Sequence, residues 1–407
     1  MTRALVWRCR RLACTLALAG GCAGDDGRRG TSVTTDSAGV TIVTSTASVW
    51  GARGPRIDSA PVIRIGAEQA GPYQFSFVSQ GLLLDSGRIA VVELAANEVR
   101  VFGADGRHLR TLGRRGRGPG EFQISSGLFR YPGDSLAVFD QIERRLTIFP
   151  LADGAPRVVR SQAQPRTRGS FDAFGALETG QLVLYNPGAG YRPDLHPGLQ
   201  WDTTDVVLLS SADGAAHTIA RLPSRQQFIL ADGNTRHHAP AHGAIQAATE
   251  DGFYWATSDR YEIRVFDREG NLRRILRRPL EPQRVEPAMI EAWIAANLEQ
   301  VRQREGEAAV PGRRRRFEEG SFGDRVPLFD RAFVDGDGRL WVGAAVWPES
   351  ETAPARWSIF GEGGEWLGDV EAPRQLRVLD CRDDLVLGVW QEDGEAPHVQ
   401  VHRLMRP

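Results

Sequence analysis

Apolar runs of four or five residues, broken by turn residues, recur along most of this chain. Between Leu82 and Phe122 the runs Ile89–Val92, Val99–Phe102 and Leu109–Leu112 are separated by Ser86-Gly87 and Asp105-Gly106. Such runs predict strands joined by tight hairpins, because the turn needs a residue that tolerates positive φ. One unit cannot bury both faces of its sheet, so neighbouring copies are expected.

The chain supplies them. Asp85-Ser86-Gly87, Pro132-Gly133-Asp134, Glu178-Thr179-Gly180, Glu250-Asp251-Gly252, Gly336-Asp337-Gly338 and Arg382-Asp383-Asp384 each precede a short apolar run. The first five are followed by a third run and a second turn, at Val99–Gly106, Leu146–Gly154, Val206–Gly214, Ile263–Gly270 and Trp357–Gly364. The sixth copy ends one strand short, at His398–Arg403. A matching piece stands at the other end of the chain. Gly66, Pro72 and Phe75 precede Gly113, Pro119 and Phe122 by one constant separation, so Pro61–Ile65 reads as an outer fourth strand. The pattern therefore predicts an all-β, six-bladed β-propeller of four-stranded antiparallel blades over 39–407. An N-terminal strand closes its ring, which leaves no long edge open.

The exit Gly116–Phe122, after the turn at Arg100–Gly106, resembles the NHL-related propellers found among bacterial exported lipoproteins. Those repeats place Asp, Asn and Arg ahead of the third strand. Here Asp140 and Arg145 fit, with Glu143 at the Asn position, whereas Glu93 and Ala96, or Thr257 and Arg260, depart from it. The resemblance spans about Val40 to Arg403 and implies the fold. It does not imply an activity, since propellers host lyases, lactonases, receptors and scaffolds.

Loops between second and third strands, and those between blades, share one face of such a ring. All the long insertions fall there: Pro187–Thr204, Pro223–Gly243, Pro279–Pro327 and Pro348–Ala355. One-sided elaboration is what a binding face produces. The segment 279–327 contains a helix opened by Glu286-Pro287, with Ile290, Trp293, Ile294, Leu298 and Val301 at helical spacing. That stripe reads as packing on the propeller. Arg313–Arg316 followed by Glu318-Glu319 reads as a solvated loop neutralised by its own carboxylates.

Arg3, Arg8, Arg10 and Arg11 precede the apolar Leu12–Gly20, too short for a membrane span, so 1–21 reads as a signal peptide. Ala19-Gly20-Gly21-Cys22 resembles a lipobox, with Cys22 the lipidated residue, and the polar 22–38 a flexible tether. An exported, lipid-anchored protein at the bacterial envelope is expected. Only Cys22 and Cys381 would remain of the four cysteines, so no internal disulfide is expected. All 50 basic residues other than histidine are arginine, and the formal net charge of −1 excludes a general polyanion binder such as a nucleic-acid protein.

Candidate ligand contacts are polar or aromatic residues on the long-loop face or the innermost strands. Tyr191, Arg192, His196, Trp201, Asp259, Tyr261, Trp347 and Trp390 belong to the first group; Asp172, Asp330, Arg331 and Arg374 belong to the second. Aromatics there stack on sugars or peptides, or simply anchor insertions. His237, His238 and His242 are the weak candidates for a metal, lacking a carboxylate or cysteine at a recognised spacing. Asp335-Gly336-Asp337-Gly338 lacks the later ligands of a calcium loop and reads as a turn. No catalytic triad, phosphate loop or paired-cysteine motif is present. The expectation is a recognition or scaffolding module for a protein, peptide or glycan, touching the membrane through its anchor alone and requiring no cofactor. The alternative is a hydrolase or lyase using a divalent metal at the channel mouth.

Overall fold

In the computed structural model, residues 32–51, 54–66, 71–163, 170–186, 196–348, 354–392 and 394–406 are described. Among them the hairpin pattern resolves into six sheets of four or more strands. Sheet one is Val78–Leu83, Ile89–Glu93, Glu98–Phe102 and His108–Leu112, and sheet two is Ser125–Tyr131, Ser135–Asp140, Arg145–Pro150 and Arg157–Arg160. Sheet three is Asp172–Ala176, Leu182–Tyr185, Gly198–Leu209 and Ala216–Ile229, with Thr235–Arg236 added at its edge. Sheet four is Ala244–Ala248, Gly252–Thr257, Glu262–Asp267 and Leu272–Arg277. Sheet five is Phe329–Val334, Leu340–Ala344, Ala355–Phe360 and Trp366–Ala372. Sheet six takes Leu376–Arg382, Leu385–Trp390 and His398–Met405 from the end of the chain, and its fourth strand, Arg56–Ile65, from the beginning. That strand is antiparallel to its neighbour in the register Val399↔Ile65 and Val401↔Ile63.

The apolar side chains form six clusters, each shared by two sheets. One joins sheets one and two through Val99, Leu112, Phe122 and Val138. Another joins sheets six and one, where Ile65 and Val401 meet Val78 and Phe102. The first strands lie innermost and side by side: one beside two, two beside three, three beside four, four beside five, and six beside one. Alternating strand residues are thus buried on both faces of each sheet, as in Ile89–Glu93, where all five are buried.

In the later of the two copies the separation of Gly113 from Phe122 has a physical cause. Gly113 has φ +77°, and a Cβ there would lie 2.1 Å from the Phe122 ring, which must fold back against it. A buried arginine then clamps the loop. Arg145 donates to the carbonyls of Arg117, at 2.6 Å, and Glu121, while Arg100 donates to those of Pro72, at 3.2 Å, and Gln74. A carboxylate holds the same loop from the other side. Asp140 accepts the N–H groups of Gln123, Ile142 and Glu143, and Glu93 those of Ser76, Phe77 and Ala95. Asp335–Gly338 is a turn, with Gly338 N–H donating to the Asp335 carbonyl.

Two features depart from the sequence reading. Ser32–Ser37, within the segment read as tether, is a strand paired with Val40–Ser45. The second of these lies parallel to Leu272–Arg277, extending sheet four to six strands. The largest insertion holds two helices, α1 (Pro287–Glu305) and α2 (Val310–Glu318). Proline at the first position of α1 costs no hydrogen bond there, and Gly306 ends it at φ 86°. Arg313–Arg316, expected in a loop, therefore lies on α2. Arg313 pairs with Glu305 of α1, across the two helices, and Arg314 with Glu318 one turn on along α2. Among the described residues, no helix is long and apolar enough to cross a membrane.

Candidate functional site

Antiparallel topology sends the loops after second strands, and the segments linking sheets, to the same end of the molecule. That end is a built surface. In sheet three the third and fourth strands run on beyond the Tyr185↔Val206 pair as a ribbon, from Asp205↔Arg221 to Gly198↔Ile229. The Trp255 indole holds its base by donating to the Pro223 carbonyl at 2.8 Å. Part of what the sequence presents as two loops is thus one continuous hairpin.

The helical insertion is tied to the other insertions through Trp293. Its ring stacks on His237 (5.1 Å between centroids, 21°) and on Trp347 (6.5 Å, 25°). It meets Phe317 and Phe322 edge-on at 5.2 and 6.1 Å. His238–Ala239 pairs in parallel with Ser321–Phe322. Ile294 and Leu298, from the predicted apolar stripe, are buried at 2% and 3% exposure. Trp347 is therefore an anchor for the insertions. So is Tyr261, buried beneath the Arg278 guanidinium, which also lies 3.6 Å over Trp366; burial pushes the Tyr261 hydroxyl up to about 12.

The histidines proposed for a metal take separate partners. His237 stacks on Trp293, His238 Nδ1 lies 3.0 Å from Ser321 Oγ, and His242 Nδ1 lies 3.4 Å from Ser258 Oγ. Burial lowers the pKa of each. Among the described residues no group of three or more His, Cys, Asp or Glu is placed to hold a metal ion. Tyr191 and Arg192 lie outside the described residues. His196 is exposed at the ribbon tip, and Trp201 is half-buried along the ribbon. Asp259 pairs with Arg260, and the Trp390 indole donates to Glu392 at 3.0 Å.

The innermost strands enclose a cavity of about 1640 Å³. Its lining runs from Ser79 and Arg331 near strand starts to Glu178, Asp251 and Asp337 at the short turns. Asp172 and Asp330 lie on first strands, as expected. Arg374, expected on the same kind of strand, is exposed in the turn before it, because that strand begins only at Leu376. Asp172 faces Tyr185 across its sheet; burial raises its pKa, and its Oδ1 lacks a hydrogen-bond partner among the described residues. Arg331 pairs with Asp330 at 2.7 Å.

Sequence reading missed a buried network crossing three sheets. Asp380, 1% exposed, accepts the Leu83 N–H at 2.7 Å and a hydrogen bond from Arg130, which also donates to the Leu83 carbonyl at 2.9 Å. Burial pushes its pKa up from 3.8 to about 6, against the opposing pull of Arg130. The folded state therefore binds this proton more tightly than the unfolded chain. Stability from this group is present in full below 3.8 and is lost as pH rises to about 6. Urea unfolding across that window should show wild type losing stability relative to Asp380→Asn as pH rises. A parallel pH dependence in both proteins would remove the assignment.

Phe77 and Ile124 were also missed, although the repeat that aligns Phe75 with Phe122 aligns this pair too. Both precede first strands at the long-loop end and remain 56% and 40% exposed.

No family model matches this chain, and no curated protein matches it. Solved structures do. A member of the DUF4221 family from Bacteroides vulgatus superposes with a TM-score of 0.50 at 8% identity, covering 87% of this chain and 99% of its own. A Bacteroides fragilis protein described as exported gives 0.47 at 10% identity over 89% and 99%. A gluconolactonase of Xanthomonas campestris gives 0.44 at 13% identity over 86% and 99%. Identity this low speaks to fold alone. The sheets, arranged with their first strands side by side, and the clusters shared between neighbouring sheets make the fold a β-propeller.

Proposed function

We propose that this protein is a six-bladed propeller, its ring closed by Arg56–Ile65, that serves as a recognition module at the cell envelope. It docks a protein, peptide or glycan on its long-loop face and is held to a membrane by a lipid on Cys22. Export and anchoring rest on the basic and apolar leader and the lipobox-like Ala19–Cys22. The NHL-like clamp residues Asp140 and Arg145 support kinship with exported propellers.

One observation carries the docking reading. Among the described residues, the long-loop end bears six of the ten large apolar side chains that stay exposed, Phe77, Ile124, Ile142, Leu199, Leu280 and Val346, while Val33, Val49, Val62 and Leu109 lie elsewhere. Six exposed apolar side chains at one end leave surface that a partner would remove from water. The insertions beside them are packed on one another through Trp293, so the face is rigid enough to be specific.

A photo-crosslinking side chain placed in living cells at Phe77 or Val346 should give discrete adducts. At Asp105 or Asp153, in turns at the opposite end, it should give none. Cys22→Ser should release the chain from the membrane fraction. Equal labelling from both ends would refute a dedicated docking face.

A further inference from the structure

Three imidazoles of one short segment stand at a seam between two insertions of the long-loop end. His237, His238 and His242 belong to the 223–243 insertion, which meets the helical insertion 279–327 where His238–Ala239 pairs with Ser321–Phe322. The Ser321 N–H donates to the His237 carbonyl at 3.0 Å, and the Gly323 N–H to the Ala239 carbonyl at 3.2 Å. The His237 ring packs against Trp293 of α1 and Phe317 of α2. His238 Nδ1 meets Ser321 Oγ, while its Nε2 is buried without a hydrogen-bond partner among the described residues. His242 is buried against Ser258, just past a strand of sheet four.

This seam suits neutral rings. A second proton on His238 would place a charged N–H at Nε2 with nothing described to accept it. On His237 it would add a charge beside Arg316, the exposed neighbour of Phe317 on α2. Burial is the main cause holding all three below the ordinary 6.5, joined at His237 by Arg316 and at His238 by the other two histidines. Asp259 and Asp324 face His242 and favour its proton, but burial outweighs them.

We propose that this seam is an acid-sensitive latch: protonation of its histidines releases α1 and α2 from the 223–243 insertion, uncovers the rings of Trp293, Phe317 and Phe322, and remodels the docking face while the sheets stay folded. The inference rests on the recognition reading only for the use made of those rings. The released insertion takes up protons at the ordinary 6.5 and the packed one binds them more weakly, so the packed state holds above 6.5 and gives way as pH falls below it. The two helices leave as one unit, joined by the Arg313–Glu305 pair. Their departure need not disturb the ring, because the insertion closes at its own base. There the Val285 N–H donates to the Asp324 carbonyl at 3.0 Å, and the Val326 N–H to the Gln283 carbonyl at 2.9 Å.

Hydrogen exchange of the full chain, read by mass spectrometry at about pH 7 and about pH 5.5 and corrected for the intrinsic rate, tests this without any partner. Exchange in α1 and α2 should rise about tenfold or more in acid, the combined effect of two such groups. Strands such as Ile89–Glu93 should show no rise. His238→Asn keeps a polar group opposite Ser321 and takes no proton, so it should cut the rise about threefold or more. Arg316→Gln removes the charge beside His237 and should also lower it. Arg316 is exposed on α2, so this variant decides the matter even where His238→Asn fails to fold. Equal corrected exchange in the helices at both pH values would overturn the proposal. So would a rise shared by the sheets, or one left unchanged in both variants. The crosslinks from Phe77 and Val346 are read at neutral pH, so failure of the latch and failure of the docking face are distinguished.

Discussion

A chain beginning at Gly66 is expected not to fold. It lacks Arg56–Ile65, the fourth strand of sheet six, and with it the pairing to His398–Met405. The loss exposes Val399 and Val401, now wholly buried, along one edge. It also removes Ile57 from the cluster shared by sheets five and six, and Ile65 from that shared by six and one. Each buried aliphatic side chain contributes about 1.5–3 kcal/mol, and a domain's whole stability is about 5–15 kcal/mol. Several such losses, with a ladder of hydrogen bonds, exceed that margin. A chain beginning at Pro55 keeps the strand while losing the Ser32–Ser45 hairpin, and it should fold. Circular dichroism and urea unfolding of the two chains decide the matter. A cooperative transition at the wild-type midpoint for the shorter one would show that Arg56–Ile65 is not required.

Asp140→Ala is expected to destabilise the protein by about 3 kcal/mol or more. The carboxylate is fully buried and accepts three backbone N–H groups, those of Gln123, Ile142 and Glu143. Each buried donor left unpaired costs about 1–3 kcal/mol. Arg145, 2% exposed on the facing strand position, would also lose the nearby negative charge. Asp140→Asn keeps an acceptor oxygen and should recover part of the loss. The expected signature is a lower urea midpoint at an unchanged m-value. A midpoint within error of wild type in Asp140→Ala would show that the three N–H groups find other partners.

These two effects also mark how far the sequence could be read. The hairpins were legible because each is decided within some eight residues, by alternation and by a Gly, Asn or Asp that tolerates positive φ at the turn. The outer strand Pro61–Ile65 was legible because Gly66, Pro72 and Phe75 repeat Gly113, Pro119 and Phe122, although the ring that crowds Gly66 is that of His398 and not Phe75. The apolar stripe of α1 was legible from its spacing, and Ile294 and Leu298 are buried accordingly. Arg313–Arg316 misled, because charge alone does not separate a solvated loop from an exposed helix that pairs once along itself, Arg314 with Glu318, and once with its neighbour, Arg313 with Glu305.

The candidate site was legible as a face and much less so as residues. Loop lengths told which end is elaborated. They could not tell that Trp347 would be covered by Trp293, or that His237 would pack against Trp293 of α1 and Phe317 of α2. Nor could they show that Ser32–Ser37 would end on a sheet edge, since an unpaired edge accepts almost any strand that reaches it.

The sequence by itself determined the repeat, the hairpins, the side on which insertions fall and the strand that completes the last sheet. Each follows from local backbone preference or from a pattern repeated down the chain. Only the tertiary structure decided which charges meet. Arg130 and Asp380 are 250 residues apart, and Arg377 reaches the carbonyl of Val78 across 299. Such partners are chosen by the packing of one sheet against the next, which brings first strands side by side whatever their separation in sequence. That packing depends on the summed burial of every sheet, and no local window of residues contains it.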